Sequence, residues 1–150
     1  MTVYGALVLI HVIAAVVGLG PTFIFPIIGK FAKTKEQLKW SNELMEKIEK
    51  PVKIGSIALL VTGLIMGVIN PNLFKEGWYI TSIILYIVAQ VLVIGVAAKQ
   101  TKESVQILEN ATGNAIPTEV VEINKKADKA LATASAIAII MIFLMSVKPF

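Results

Sequence analysis

His11 is the only histidine of the chain, and it lies inside the apolar stretch LVLIHVIAAVVGLGP. An ionisable side chain within a membrane span is a functional hypothesis by default, because hydrocarbon penalises unpaired polar groups. An imidazole nitrogen can bind haem iron or copper, and methionine sulfur is a common second ligand for either. His11 is therefore the first candidate ligand for a haem or a metal.

The elements that position His11 are predicted to be membrane-spanning helices. Hydrophobic residues make up 56% of the 150 residues, and the mean hydropathy is +0.78. Four apolar runs are long enough to cross a bilayer core, which needs about 20 residues, although the second and fourth are near the lower limit. They are residues 3–28, 52–69, 78–98 and 130–147. We predict an all-α fold, an integral membrane four-helix bundle that forms a single domain over residues 1–150.

The basic residues predict the orientation of this bundle. All 14 are lysines, of which seven lie in residues 30–53 and five in residues 99–129. Because cytoplasmic segments are enriched in lysine, both long connections are predicted to be cytoplasmic and both termini to lie outside the cell membrane. This arrangement accounts for the net charge of +4, so the lipid bilayer is the predicted partner and nucleic acid is not.

The two lysine-rich connections are predicted to extend the helices on the cytoplasmic side. Leu38, Met45 and Ile48 have helical spacing, which predicts a helix that bends at Pro51 into the second span. The third span is predicted to continue as helix through residues 99–110, followed by a loop over 111–117. Thr118 is predicted to cap a last helix over 118–147, about 45 Å long.

Counting residues from the outer ends places several candidate ligands at similar depth. His11 lies about 12 Å from the outer end of its span, Tyr86 and Met141 lie at about that depth, and Met66 lies nearer the surface. We hypothesise that His11, Met66, Tyr86 and Met141 bind haem b, or that His11 binds a metal ion. In the structural alternative, His11 forms a hydrogen bond to Tyr86 or Ser82, and the methionines are ordinary core residues.

Two further patterns lie within the spans. Gly63 and Gly67 form a GxxxG motif, which permits close approach of two helices within the bundle or in a homo-oligomer. Ser82, Tyr86 and Gln90 share one helical face, which is predicted to point inward. That face forms either hydrogen bonds between helices or a path for a small solute.

Several classes of site are excluded or unsupported. The absence of cysteine excludes disulfides, thiolate metal sites and c-type haem attachment. The spans carry no carboxylate of the kind that proton relays and cation-coupled carriers use. The chain has no HExxH motif, nucleophile elbow or P-loop, so neither hydrolysis nor nucleotide-driven transport is supported.

Three segments carry a resemblance to known membrane proteins: LIHVIAAVVGLGPTFIFP, MEKIEKPVKIGSIALLVTGLIMG and GWYITS. Together they resemble an uncharacterised prokaryotic family of four-span integral membrane proteins. They are distantly similar to the membrane protoporphyrinogen oxidases and to copper-resistance membrane proteins of the CopD type. The oxidase resemblance implies b-type haem with His11 as a ligand. It also implies a lysine early in the third span, near which this chain has Ser82.

The leading functional hypothesis is a small membrane protein that binds haem b through His11 for redox chemistry or haem handling. The first alternative is a non-enzymatic assembly or interaction subunit that uses Gly63 and Gly67 as its contact. The second alternative is a small-solute carrier that uses the face of Ser82, Tyr86 and Gln90.

Overall fold

The computed structural model describes residues 2–150, which form four long helices. We label them α1 (Val3–Phe31), α2 (Lys35–Ile69), α3 (Gly77–Asn110) and α4 (Thr118–Val147). A short 3₁₀ helix, Pro71–Lys75, joins α2 to α3. All four helices are long and apolar enough to cross a membrane. The predicted all-α four-helix membrane fold is thus confirmed.

The lysine-rich connections form helical extensions, as predicted. At 1.5 Å per residue, the 35 residues of α2 extend about 52 Å, well beyond a hydrocarbon core of about 30 Å. Thr34 and Gln37 start α2 with reciprocal side-chain-to-backbone hydrogen bonds, a capping box. Pro51 lies inside the continuous helix. We call the end of the bundle formed by residues 30–53 and 99–129 the lysine-rich end.

The predicted loop at 111–117 is confirmed, but the predicted cap at Thr118 is wrong. Pro117 is the N-cap residue of α4, and no side chain caps this end. Thr118 is already the first helical residue, because Pro117, with φ −58° and an extended ψ of 141°, is the last residue outside the helix. On the other side of the loop, Lys35 Nζ donates a hydrogen bond to the carbonyl oxygen of Ala111.

The four helices do not pack equally closely. α1 packs against α2 and α4, and α3 packs against α4. α2 approaches α3 mainly over residues 99–110, so the two backbones stand apart along the membrane-spanning part. The outward faces are apolar, with Val16, Ile57, Ile84 and Ile142 all more than half exposed, as expected for surfaces that lipid covers.

Candidate functional site

Two tyrosines of α3 fill the space between α2 and α3 in the half of the bundle away from the lysine-rich end. Tyr79 donates its hydroxyl hydrogen to the carbonyl oxygen of Gly63 at 2.9 Å, and Tyr86 donates to that of Ser56 at 2.6 Å. Both tyrosines are buried. These bonds link α2 to α3 by long side chains instead of by close backbone contact.

Beyond Tyr86, towards the lysine-rich end, the space between α2 and α3 remains open as a cavity. Its volume is about 340 Å³, within the range that holds small ligands. All four helices line it, but its exposed lining residues lie on α2 and α3. The cavity therefore opens sideways between these two helices. Its apolar wall includes Gly18, Leu19, Val52, Ala89, Val93, Ala97, Leu131 and Ala134.

The α3 wall of the cavity is π-helical. Residues Val91–Ala98 form a π-helix of eight residues within α3, and four of them line the cavity. Wide turns of this kind are rare and are often found at functional sites. Proline, a frequent cause of helix distortion, does not occur in this segment. The position of the π-helix beside the cavity marks this wall as a candidate binding surface.

The mouth of the cavity is charged. Glu46, Glu49 and Lys53 of α2 and Lys102 of α3 line it. Lys53 Nζ lies 2.7 Å from Glu49 Oε1, and this is the single ion pair within residues 2–150. Glu46 and Lys102 thus stand on opposite sides of the mouth without an ion-pair partner in that part of the chain.

Buried polar atoms without partners also concentrate at the lysine-rich end. Within residues 2–150 they are Ser41 Oγ, Asn42 Nδ2 and Ser104 Oγ. Of these three residues only Asn42 lines the cavity, and this residue is 6% exposed. An unpaired buried donor is costly, so each such group requires an explanation.

His11 lies against α2, and the predicted hydrogen bond from His11 to Tyr86 or Ser82 is wrong. His11 Nδ1 is 2.9 Å from Thr62 Oγ1, and the Thr62 hydroxyl donates to the carbonyl oxygen of Ala58 at 2.6 Å. Because the Thr62 hydroxyl has one hydrogen and is placed to give it to Ala58, we assign Nδ1 as the donor towards Thr62 and Nε2 as the nitrogen without a hydrogen. Depth alone predicted Tyr86 or Ser82 as the partner, but the close packing of α1 on α2 brings Thr62 nearer.

The other three predicted haem ligands are buried in the bundle. Tyr86 and Met141 pack in one apolar cluster with Leu59, whereas Met66 lies on α2 one turn beyond Thr62. The Tyr86 hydroxyl is already used in its hydrogen bond to Ser56. None of the four predicted ligands lines the cavity. Within residues 2–150, no three or more His, Asp or Glu side chains are grouped so as to hold a metal ion.

The face of Ser82, Tyr86 and Gln90 points inward, as predicted. Ser82 is 1% exposed and donates to the carbonyl oxygen of Trp78 on its own helix, at 2.7 Å. Both hydroxyls of this face therefore have backbone partners, which favours a structural role. Gln90 differs from them because it lines the cavity.

Gly63 and Gly67 are both used within the chain. A Cβ atom at Gly63 would lie 3.2 Å from His11 Cε1. A Cβ atom at Gly67 would lie 2.8 Å from Phe74 Cζ and would also contact the Tyr79 hydroxyl. Of the two alternatives for the GxxxG motif, close packing within the bundle agrees with the structure. A homo-oligomer through these glycines stays a prediction.

The cavity and its mouth were not predicted from the sequence. A usable signal was present on α2, where Asn42, Glu46, Glu49 and Lys53 have helical spacing and so share one face. Such a face is also typical of a solvated cytoplasmic helix, so the spacing alone does not indicate a cavity. The apolar wall gave no signal, because alanine and valine are ordinary residues of membrane helices.

Comparison with known proteins agrees with this architecture. No curated protein and no solved structure matches the chain. One family model does, with the description "predicted integral membrane protein", and it covers residues 5–149, which include all four helices almost completely. With apolar helices of membrane-spanning length, the chain is an integral membrane protein and belongs to the DUF2269 family.

Proposed function

We propose that this membrane protein binds an amphipathic lipid, with its acyl chain in the cavity between α2 and α3 and its polar group at the charged mouth. The observation that carries this proposal is the polarity of the cavity. Its deep wall is apolar, whereas its mouth carries Glu46, Glu49, Lys53 and Lys102. A membrane lipid has the same division into an apolar chain and a polar end.

The cavity is more stable when an acyl chain fills it than when it is empty. An apolar void in a bundle loses dispersion contacts on every wall. A neighbouring acyl chain loses little by leaving the bilayer, because lipid is as apolar as the cavity wall. The sideways opening between α2 and α3 admits such a chain directly from the surrounding leaflet.

The test is retention of lipid by the purified protein. The protein is extracted in a mild detergent, and bound lipid is measured by mass spectrometry of the intact complex. Ala98 lines the cavity and is half-buried, so Ala98→Phe should fill the space and remove the bound lipid. Ala136, exposed on α4 and not part of the lining, provides the matched control Ala136→Phe.

The expected result is lipid on the wild type and on Ala136→Phe, and none on Ala98→Phe. Circular dichroism should show the same helix content for all three proteins. Equal lipid retention by a folded Ala98→Phe variant, or no retention by the wild type, would reject the proposal.

A second candidate function, haem b binding through His11, is favoured by one specific observation. The hydrogen bond between Nδ1 and Thr62 holds the ring, and a metal-ligating histidine is held in this way through one nitrogen while the other nitrogen binds the metal. Tyr86 and Met141 lie in a packed cluster and Met66 is also buried, so the proposal is restricted to His11 as the single protein ligand.

Titration of the purified protein with haemin tests this candidate. Binding through His11 should give a Soret band that His11→Ala abolishes. Thr62→Val should weaken it, because the imidazole is then no longer held. No Soret shift in the wild type, or an unchanged band in His11→Ala, would reject haem binding at this residue.

A further inference from the structure

We infer that the mouth of the cavity selects a zwitterionic phospholipid whose headgroup carries a primary ammonium. Asn42 Nδ2 and Lys102 would bind the phosphate, and Glu46 would bind the ammonium. This inference rests on the proposed lipid-binding function and adds the headgroup chemistry to it.

Selectivity must come from the mouth and not from the apolar wall. Acyl chains of different lipids are chemically alike, and their transfer from bilayer to cavity changes little apolar burial. Hydrogen bonds and charges at the mouth distinguish headgroups, and they act at a partly buried position where they are stronger than in water.

Asn42 supplies the first contact to the phosphate group. Asn42 lines the cavity, and its Nδ2 is a buried amide donor that has no hydrogen-bond partner within residues 2–150. Such a group gains most from an anionic oxygen, because hydrogen bonds to charged acceptors are about twice as strong as neutral ones. Lys102, on the facing helix α3, adds a positive charge at the same mouth. Together they suit a phosphate group.

Glu46 supplies the contact to the ammonium group. It lies one helical turn from Asn42 and lines the same mouth. Glu49 and Lys53 neutralise each other at 2.7 Å, so Glu46 and Lys102 remain as the charges available to a ligand. A headgroup with phosphate alone would bring an uncompensated negative charge to Glu46. A primary ammonium compensates Glu46 and donates hydrogen bonds to it, which a quaternary ammonium cannot do.

The experiment is a competition between lipids with identical acyl chains. The purified full-length protein is equilibrated with mixed micelles that contain equal amounts of phosphatidylethanolamine, phosphatidylcholine and phosphatidylglycerol. The lipids that remain bound are then counted by mass spectrometry of the intact complex. Phosphatidylethanolamine should be enriched over both competitors.

Two variants separate the two contacts. Asn42→Leu removes the amide donor at similar volume and should lower the affinity for phospholipid about tenfold, the effect of losing one charge-assisted hydrogen bond. Glu46→Gln should retain phospholipid but lose the preference for ethanolamine over choline. Ser41→Ala is the matched control, because Ser41 is the adjacent buried residue with an unpartnered oxygen and does not line the cavity.

Failure of the headgroup selectivity can be distinguished from failure of lipid binding. If lipid is bound and Ala98→Phe removes it, but headgroups are bound equally or phosphatidylglycerol is preferred, the headgroup inference is wrong and the proposed function stands. The headgroup inference is also wrong if Asn42→Leu binds like the wild type, or if the bound lipid is a free fatty acid. If no lipid is retained at all, both fail.

Discussion

Gly18 of α1 and Gly55 of α2 lie against each other so closely that neither position has room for a side chain. A Cβ atom at Gly18 would lie 2.7 Å from the Ser56 nitrogen, and one at Gly55 would lie 2.7 Å from the Gly18 nitrogen. Small residues allow such close approach in membranes, where packing and not hydrophobicity drives association. This contact sets the spacing of α1 and α2 and so the position of His11 beside Thr62.

Gly18→Ala should therefore destabilise the bundle, because the new Cβ atom meets backbone that cannot rotate away. Overpacking of this kind costs about 1–3 kcal/mol. The measurement is the thermal unfolding midpoint in detergent. Gly20 is the control, since a Cβ atom at that position on α1 meets nothing within 4 Å, and Gly20→Ala should unfold at the wild-type temperature or above it. Equal midpoints for the two variants would contradict the close contact.

Tyr86→Phe should lower stability by removing the bridge from α3 to α2. The hydroxyl is buried and donates to the Ser56 carbonyl at 2.6 Å. Hydrogen bonds between membrane helices contribute about 0.6–2 kcal/mol, so a modest fall in the unfolding midpoint is expected. Tyr4 is 38% exposed, and Tyr4→Phe is the control that should leave the midpoint unchanged. A Tyr86→Phe variant as stable as Tyr4→Phe would show that the bridge carries no stability.

Gly67→Leu should destabilise the bundle more than Gly63→Leu. At Gly67 the added side chain meets two aromatic residues, Phe74 and Tyr79, whereas at Gly63 it meets the edge of the His11 ring at 3.2 Å. Thermal unfolding measures the difference, and light scattering of the detergent complex measures the mass. Loss of a dimer in either variant, without loss of stability, would instead assign the two glycines to a homo-oligomer.

The orientation predicted from the lysines can be tested directly, because the chain has no cysteine of its own. Asn72 lies exposed in the short helix between α2 and α3, and Asn114 lies exposed in the loop before α4. On intact cells an impermeant thiol reagent should label Asn72→Cys and not Asn114→Cys. The reverse labelling pattern would place the lysine-rich end outside.

The sequence predicted the helices well because a run of about 20 apolar residues has few alternative structures. Asn110 ends α3 and Thr118 begins α4 as the loop signals indicated, and Thr118 failed only as a cap. The hydrogen-bond partner of His11 was predicted wrongly for a physical reason. Depth along a helix follows from residue counting, whereas which helices touch depends on small residues such as Gly18 and Gly55 on facing surfaces.

The cavity and the π-helix could not be predicted for a related reason. A cavity arises where side chains are too short to meet, and that depends on the distance between α2 and α3. The π-helix at Val91–Ala98 has no proline or charged residue to indicate it. Asn42 was the one residue of the cavity that the sequence could have indicated. It is a polar side chain on the same helical face as Glu46 and Glu49, and no function had been predicted for it.

The sideways opening of the cavity determines which concentration governs its occupancy. A molecule that enters between α2 and α3 arrives by lateral diffusion within one leaflet and does not cross water. The fraction of cavities that this molecule fills therefore depends on its mole fraction among the lipids of that leaflet. Dilution of the cell suspension does not change that mole fraction. Occupancy of the cavity would therefore change continuously with the lipid composition of one leaflet, and it would not depend on concentrations in the aqueous phase.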